Sequence, residues 1–515
     1  MANGKSAEFG DFQTPPELAS SVCALLSKQG VKPASLVEPT CGLGSFLFAG
    51  LDYFRGLQNS IGADINARYI EKVTDKVRRR GGCEWVKVAE ADFFRTDWEQ
   101  VISQLPEPVL ILGNPPWVTN AHLGTLGSQN LPAKSNFQKQ KGLDAITGKA
   151  NFDISEWMLM QLVEAMNGRH GTLAMLCKAA VARKVLHHAW KNGLSTKDST
   201  IYRIDSGLHF GASVDAALLV THFRSTGEHD LQAKVYPHLS NAYDPTVIGY
   251  EDGLLLADLG AYRRWRHLNS PKKDQLLRWR SGIKHDCSKV MELRKQANGY
   301  GNGLGESIEL EDTYLYPMLK SSGVARRWNG NDLRYMIVTQ RSVGEDTAII
   351  EQKAPLTWAY LLSHAHLFHK RSSSIYRDRP AFAIFGVGEY TFARWKVAIS
   401  GFYKKLQFTV IGPVDEKPVV LDDTCYFLAC DNEEQTAYLA SILNSPVAEA
   451  FYGSFIFWDN KRPITAELLG RLDLQGVARE LGSEAEFRRF FAKPKDREAG
   501  FWQIWDSAPV TTPLH

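Results

Sequence analysis

Asn114-Pro115-Pro116-Trp117 is the stretch whose residue types and spacing most directly suggest chemistry. The apolar run Leu110-Ile111-Leu112 ahead of it reads as a buried parallel strand, which Gly113 brings to a stop. Two prolines remove two amide donors and fix the backbone, so carbonyl oxygens are left as acceptors. The Asn114 amide oxygen adds another acceptor, and Trp117 supplies a flat apolar face. This set suits a planar ring bearing an exocyclic NH2, with the amine donating and the ring stacked, and adenine is the obvious candidate. Taken alone, Asn-Pro-Pro serves equally well as a turn between a strand and a loop.

Such a group needs a sheet edge to stand on, and the upstream sequence supplies one. Ser35 to Val37 reads as a short strand, followed by Glu38-Pro39-Thr40-Cys41-Gly42-Leu43-Gly44 and an apolar helix. Glycines in such a turn let the backbone approach a ligand closely, as in dinucleotide sites. Glu38 would repel a pyrophosphate and favour an ammonium, which points away from NAD and towards the methionine part of S-adenosylmethionine. The next strand, Ser60 to Asn66, places Asp64 about twenty residues beyond the glycines, the spacing at which a carboxylate takes ribose hydroxyls. A third, Val86 to Phe94, ends in Asp92 beside Phe93 and Phe94, an aromatic pair able to hold the cofactor's adenine. Each acid alone is also an ordinary polar strand end. Ahead of all this, Thr14-Pro15-Pro16-Glu17 opens a helix whose apolar face is Leu18, Val22, Leu25 and Leu26, with Thr14 as its structural N-cap.

In order and spacing, Thr14-Pro15-Pro16, Glu38 to Gly44, Asp64, Asp92-Phe93 and Asn114-Pro115-Pro116-Trp117 resemble the gamma class of DNA adenine-N6 methyltransferases. The resemblance implies a Rossmann-like α/β domain binding S-adenosyl-L-methionine. Thr14, Glu38, Pro39, Cys41, Gly42 and Gly44 would surround its methionine part, Asp64 its ribose, and Asp92 with Phe93 its adenine. Asn114, Pro115, Pro116 and Trp117 would form the catalytic motif, with Trp117 where most members carry Tyr or Phe. Ser206 to Val220 resembles the family's last sheet hairpin, so Phe210 would stack on the other face of the target base; Phe210 as hairpin core weighs equally.

The remaining sequence must build and extend this scaffold. Asp153 to Asn167 has helical spacing and Thr172 to Cys177 reads as a strand, while Ala121 to Ala150, rich in Gly, Ser, Gln, Asn and Lys, reads as a mobile loop able to close on a nucleic-acid backbone, or as a loop without function. Beyond residue 235 the character changes. From Tyr262 to Lys295 there is a surplus of about eight bases over acids, with Trp265 and Trp279 interleaved, suiting phosphate contact or a solvated helix face. Gly299 to Gly305 reads as a flexible loop. Strands are expected at Leu333–Val338, Ala381–Phe385, Trp395–Ile399, Val419–Leu421 and Cys425–Leu428, and helices at Pro355–His369 and Glu434–Leu443. Leu443 to Pro446 and Phe457 to Thr465 resemble the specificity domains of restriction-modification enzymes. Asp415-Glu416-Lys417 reads as a solvated turn rather than nuclease chemistry, and there is no Walker loop.

Composition is that of an ordinary globular protein, 44% apolar and 23% charged, with a net charge of +3 that requires any polyanion to be met by a local patch. Seven scattered cysteines give neither a disulfide framework nor a metal-ligand pattern, and no apolar run reaches membrane-spanning length. The expectation is therefore a cytoplasmic protein without a metal, with a catalytic domain over 1–235 and a mixed α+β target-recognition domain over 236–515. It would methylate N6 of a flipped-out adenine in duplex DNA, beside a cognate restriction endonuclease encoded nearby. The alternatives are methylation of RNA or a protein glutamine, and a catalytically silent DNA-recognition subunit.

Overall fold

The computed structural model describes residues 13–81, 84–117, 153–211, 214–225, 229–270, 277–326 and 333–491. The expected loop at 121–150, and 271–276 of the basic segment, lie outside the described residues. Two compact units are formed, Met1–Gly260 with Phe457–Asn460, and Ala261–Ile456 with Lys461–His515. Among the described residues no helix is long and apolar enough to cross a membrane.

In chain order the first unit contains α1 (Pro16–Lys28), β1 (Ser35–Glu38), α2 (Ser45–Tyr53), β2 (Asn59–Asp64), α3 (Ala67–Arg80), β3 (Val86–Glu90), α4 (Trp98–Ser103) and β4 (Val109–Gly113). There follow α5 (Ile154–Ala165), β5 (Gly171–Lys178), α6 (Ala179–Lys191), β6 (Thr196–Ile204), α7 (Ser206–Phe210), β7 (Ala216–Phe223), β8 (Gln232–Tyr236), β9 (Thr246–Glu251) and β10 (Leu254–Leu256). The strands form one sheet in the order β10-β9-β8-β6-β7-β5-β4-β1-β2-β3. From β5 through β4, β1 and β2 to β3 all pairs are parallel, and β7 runs antiparallel between β5 and β6. Two apolar layers cover the sheet. Leu18, Val22, Phe46, Leu47 and Val73 from α1 to α3 lie against Leu36, Leu110, Leu112 and Leu176, while Leu159, Leu162 and Val185 from α5 and α6 lie against Val37, Ile111 and Leu173. Covered on both faces, β4 is buried at every position and β5 at all but Lys178, which is why both are predominantly apolar.

The division falls after Gly260 rather than at 235/236, because β9 and β10 pair onward from β8 and complete the first sheet. Residues Phe457–Asn460 also belong to this unit. Arg183 donates to both Asp459 carboxylate oxygens at 2.6 and 2.7 Å, and its guanidinium lies 4.4 Å from the Phe457 ring centre. Two local expectations need correction. The N-cap of α1 is Pro15, extended at ψ 136°, and not Thr14. Nor do residues 206–210 extend a strand: Asp205 accepts from the Leu208 amide at 3.0 Å and starts α7, which Gly211 ends at φ +61°.

The second unit is mixed α and β, with two sheets. One contains Arg280–Ser281, Cys425–Cys430, Trp395–Ser400 and Thr409–Ile411; the other Ser307–Ile308, Tyr300–Gly301, Glu292–Lys295, Arg334–Ile337, Leu315–Leu319 and Val420–Leu421. Tyr300–Gly301 thus pairs as a strand where a loop is expected. Ala381–Phe385 is not a strand, because Phe382 turns the chain at φ +59° and only Phe385 makes a bridge, to Lys284. The expected helix over 355–369 divides at His364 into Pro355–Ser363 and Ala365–His369. Trp279, expected beside phosphates, is 7% exposed and packs on Phe408, whereas Arg263, Arg264 and Arg266 are exposed.

Lys396 is the unexpected member of this core, 1% exposed and donating to the carbonyls of Ala393 and Val419. Burial pushes its ammonium down from 10.5 to about 7. Above neutrality the unfolded chain then holds a proton that the folded chain does not, so stability rises with pH until the ordinary lysine range is reached. While that window lasts, the rise is expected to be about 1.4 kcal/mol per pH unit. Thermal melts from neutral to alkaline pH check it: Lys396→Met flattens the rise, and an unchanged slope in the variant rules out Lys396 as its origin.

Candidate active site

The strand order explains why the selected residues meet. Because β4, β1, β2 and β3 are parallel neighbours, their C-terminal ends share one edge, which therefore receives Asn114, Glu38, Asp64 and the segment carrying Asp92.

The glycine turn between β1 and α2 is tightly held. Gly42 and Gly44 stand at φ +50° and +80°, where side chains are strained, and a Cβ on Gly42 would lie 2.6 Å from Gln13 Oε1. The Gly42 amide donates to Asp64 Oδ2 at 2.9 Å, the Leu43 amide to Gln13 Oε1 at 3.0 Å, and the Cys41 amide to the Ala63 carbonyl at 2.8 Å. Thr14, 9% exposed, accepts from Ser45 Oγ at 2.7 Å through its carbonyl, so the Thr-Pro-Pro segment lies on the turn. Cys41 and Pro39 are buried beside it, and burial pushes the Cys41 thiol far up, keeping it protonated.

Glu38 is 2% exposed, and its Oε2 accepts from the Leu47 amide at 2.7 Å. Burial pushes its carboxyl well above the ordinary value, against the pull of the Leu47 and Phe46 amides, and nearby Asp64 adds to the rise. Asp64 also accepts from the Asn66 amide at 2.9 Å through Oδ1. Asp92 accepts from the Phe94 amide at 2.9 Å. Of the aromatic pair, Phe93 is 6% exposed with its ring 5.1 Å from that of Trp98, and Phe94 is the more accessible.

On the other side of β1, Asn114 and Pro116 are half-buried, while Pro115 and Trp117 are buried. The Trp117 ring meets Phe210 edge to face at 5.1 Å and 70°. The two residues selected as base-stacking partners are therefore together, and a base held between them requires the rings to part. Sequence reasoning missed Gln13, and it also missed Lys178, whose Nζ donates to the Trp117 carbonyl at 3.2 Å and to Asp153 Oδ2 at 2.6 Å. Asp153 was visible only as the polar residue before a helical pattern.

These residues fit an S-adenosylmethionine-like cofactor. Thr40 Oγ1, inside the turn, is buried and meets no hydrogen-bond partner among the described residues. Three carboxylates along the same edge suit a ligand bearing a cation and hydroxyls, and oppose a pyrophosphate.

No family model matches the sequence. Among solved structures, the type IIL restriction-modification enzyme MmeI in complex with DNA superposes with a TM-score of 0.51 at 14% identity, covering 94% of this chain and 69% of that one. The methyltransferase subunit of a type I restriction-modification system from Streptococcus thermophilus gives a TM-score of 0.31 at 18% identity, covering 44% and 47%. The fold of the first unit is that of the S-adenosylmethionine-dependent methyltransferases. A curated relative, the type II methyltransferase M.NspV of Nostoc sp. (strain ATCC 29411 / PCC 7524), is 45% identical over 479 residues, covering 92% of this chain and 97% of its own length. At that identity across nearly all of both proteins, the chain belongs to the family of type II methyltransferases.

Proposed function

We propose that the chain is a gamma-class DNA adenine-N6 methyltransferase, acting on an adenine turned out of duplex DNA as the modification enzyme of a restriction-modification or related defence system, beside a cognate endonuclease. The observation that carries this reading is the adjacency of β4 to β1, which sets Asn114-Pro115-Pro116-Trp117 next to the glycine turn and the acids of β1 and β2. The second unit, with exposed Arg263, Arg264 and Arg266, serves as the target-recognition domain.

S-adenosyl-L-methionine supplies an electrophilic methyl group on a sulfonium. Thr14, Glu38, Pro39, Cys41, Gly42 and Gly44 hold its methionine part, Asp64 its ribose, and Asp92 with Phe93 its adenine end. N6 of adenine is a weak nucleophile because its lone pair is delocalised into the ring. Asn114 Oδ1 and the Pro115 carbonyl accept the two N–H bonds, favouring a pyramidal nitrogen whose lone pair faces the methyl group. Trp117 and Phe210 hold the base faces, and Pro116 fixes the backbone between acceptor and ring. Transfer would form the N–C bond as the sulfonium S–C bond breaks, leaving a neutral thioether, and the positive charge passed to N6 would be discharged by loss of one proton to solvent. Positioning and electrostatics carry the catalysis. Extrusion is required because a base inside the stack is out of reach, and its cost of a few kcal/mol is met by stacking and phosphate contacts.

Methylation-aware sequencing of DNA from a methylation-free host expressing the chain tests this reading. N6-methyladenine at one recurring short site is expected. Unmodified DNA alongside folded, donor-binding protein counts against it, and favours RNA or a protein glutamine as acceptor.

A further inference from the structure

We infer that Lys178 is a positioning residue for methyl transfer, acting through the backbone of Trp117 with its charge balanced by Asp153; the inference rests on the adenine reading above. Lys178 is the last residue of β5, whose backbone is fixed on both sides. It is parallel to β4 from Val109↔Gly171 to Gly113↔Met175, and antiparallel to β7 out to Lys178↔Ala216. Lys178 is therefore three residues beyond the last position at which β5 pairs with β4, and Trp117 is four beyond the corresponding position of β4. The Lys178 ammonium bridges this offset, donating to the Trp117 carbonyl at 3.2 Å.

The motif has unusual need of such a tie. Pro115 and Pro116 have no amide hydrogen, so the segment cannot donate from those positions to a neighbouring strand. A lysine at the adjacent strand end replaces the missing ladder bonds with one directed contact at the carbonyl of the stacking residue. Movement of that carbonyl would move the Trp117 ring, and with it the base plane relative to Asn114.

A bare ammonium beside the motif would oppose the positive charge that grows on N6. Asp153, 8% exposed, answers it at 2.6 Å, and the same carboxylate accepts from the Ser155 amide at 3.1 Å as the N-cap of α5. The aspartate is thereby anchored to a helix end. The lysine is anchored in turn by the aspartate, and together they leave that end of the site neutral.

The test compares full-length wild type, Lys178→Met and Lys178→Arg in single-turnover methylation of duplex DNA at saturating donor, alongside donor affinity by calorimetry, DNA affinity, Tm, and the emission of 2-aminopurine placed at the target adenine. Lys178→Met is expected to lower the single-turnover rate by about 10- to 100-fold, as loss of a group orienting a catalytic one does. Donor and DNA affinities and Tm should stay near wild type, with altered 2-aminopurine emission. Lys178→Arg, keeping a charged donor, should recover most of the rate. A wild-type rate and emission in Lys178→Met overturn the inference. So does a rate loss that merely follows a fall in Tm in both variants, since that marks a purely structural ion pair. A wild-type protein that binds donor yet leaves duplex adenine unmodified overturns the adenine reading, and the inference with it.

Discussion

Asn114→Ala is expected to lower methyl transfer by at least about 100-fold, the scale seen when one preorganised hydrogen-bond group is removed from a reacting centre, while donor affinity changes little. The separation follows from the sheet. Asn114 follows β4, whereas the proposed donor contacts lie on the turn after β1, on Asp64 at the end of β2, and beyond β3. Truncation at Asn114 should therefore remove an acceptor for the amine without disturbing the Gly42–Asp64 hydrogen bond. Asn114→Asp keeps an acceptor oxygen and should lose less. Single-turnover incorporation into duplex DNA, with calorimetric titration of the donor, gives both numbers. Retained turnover in Asn114→Ala would remove the residue from the mechanism. A parallel loss of donor binding would instead assign it to the cofactor site.

The parts of this site that were legible in the sequence are those whose physics is local. β4 and β5 are covered on both faces, so each had to be predominantly apolar, and the residues that end or follow these strands had to stand at the sheet edge. The glycine turn was legible because Gly42 and Gly44 occupy conformations that few other residues tolerate. Contacts between distant residues were not legible. Lys178 and Asp153 each resemble an ordinary strand end and helix cap, and only the parallel register of β4 with β5 reveals that Lys178 donates to both the Trp117 carbonyl and Asp153. The same limitation hid Arg183 and Asp459, 276 positions apart, and so misplaced the Phe457–Asn460 segment. The domain boundary was missed for a different reason: β8 to β10 are partly exposed strands towards one end of the sheet, and their mixed composition does not distinguish them from the strands of the second unit. Phe93 and Phe94 show a further limit, since their rings stand 6.0 Å apart and both meet Trp157, and only Phe93, which also packs on Trp98, becomes core.

Glu38→Gln is expected to weaken donor binding by about 10- to 100-fold and to remove its pH dependence, on the scale of one or two pKa units of charge interaction. The buried carboxyl is held well above its ordinary value chiefly by desolvation, so the donor-free protein keeps it protonated over a range in which the unfolded chain would ionise. Two consequences follow with defined signs. Without donor, the raised value contributes stability at low pH that is lost as pH rises through it. A cationic donor favours the carboxylate, so binding expels the proton and affinity increases with pH over the same range, by up to about tenfold per unit for a single proton. Gln keeps an acceptor oxygen for the Leu47 amide, so the start of α2 should stay satisfied and the variant should fold. Calorimetry in buffers of differing ionisation enthalpy reads the released proton directly, and melting with and without donor across pH reads the linked stability. Proton release that persists unchanged in Glu38→Gln would place the titrating group elsewhere. Donor affinity that is equal in both proteins and independent of pH would mean that Glu38 serves only to cap α2.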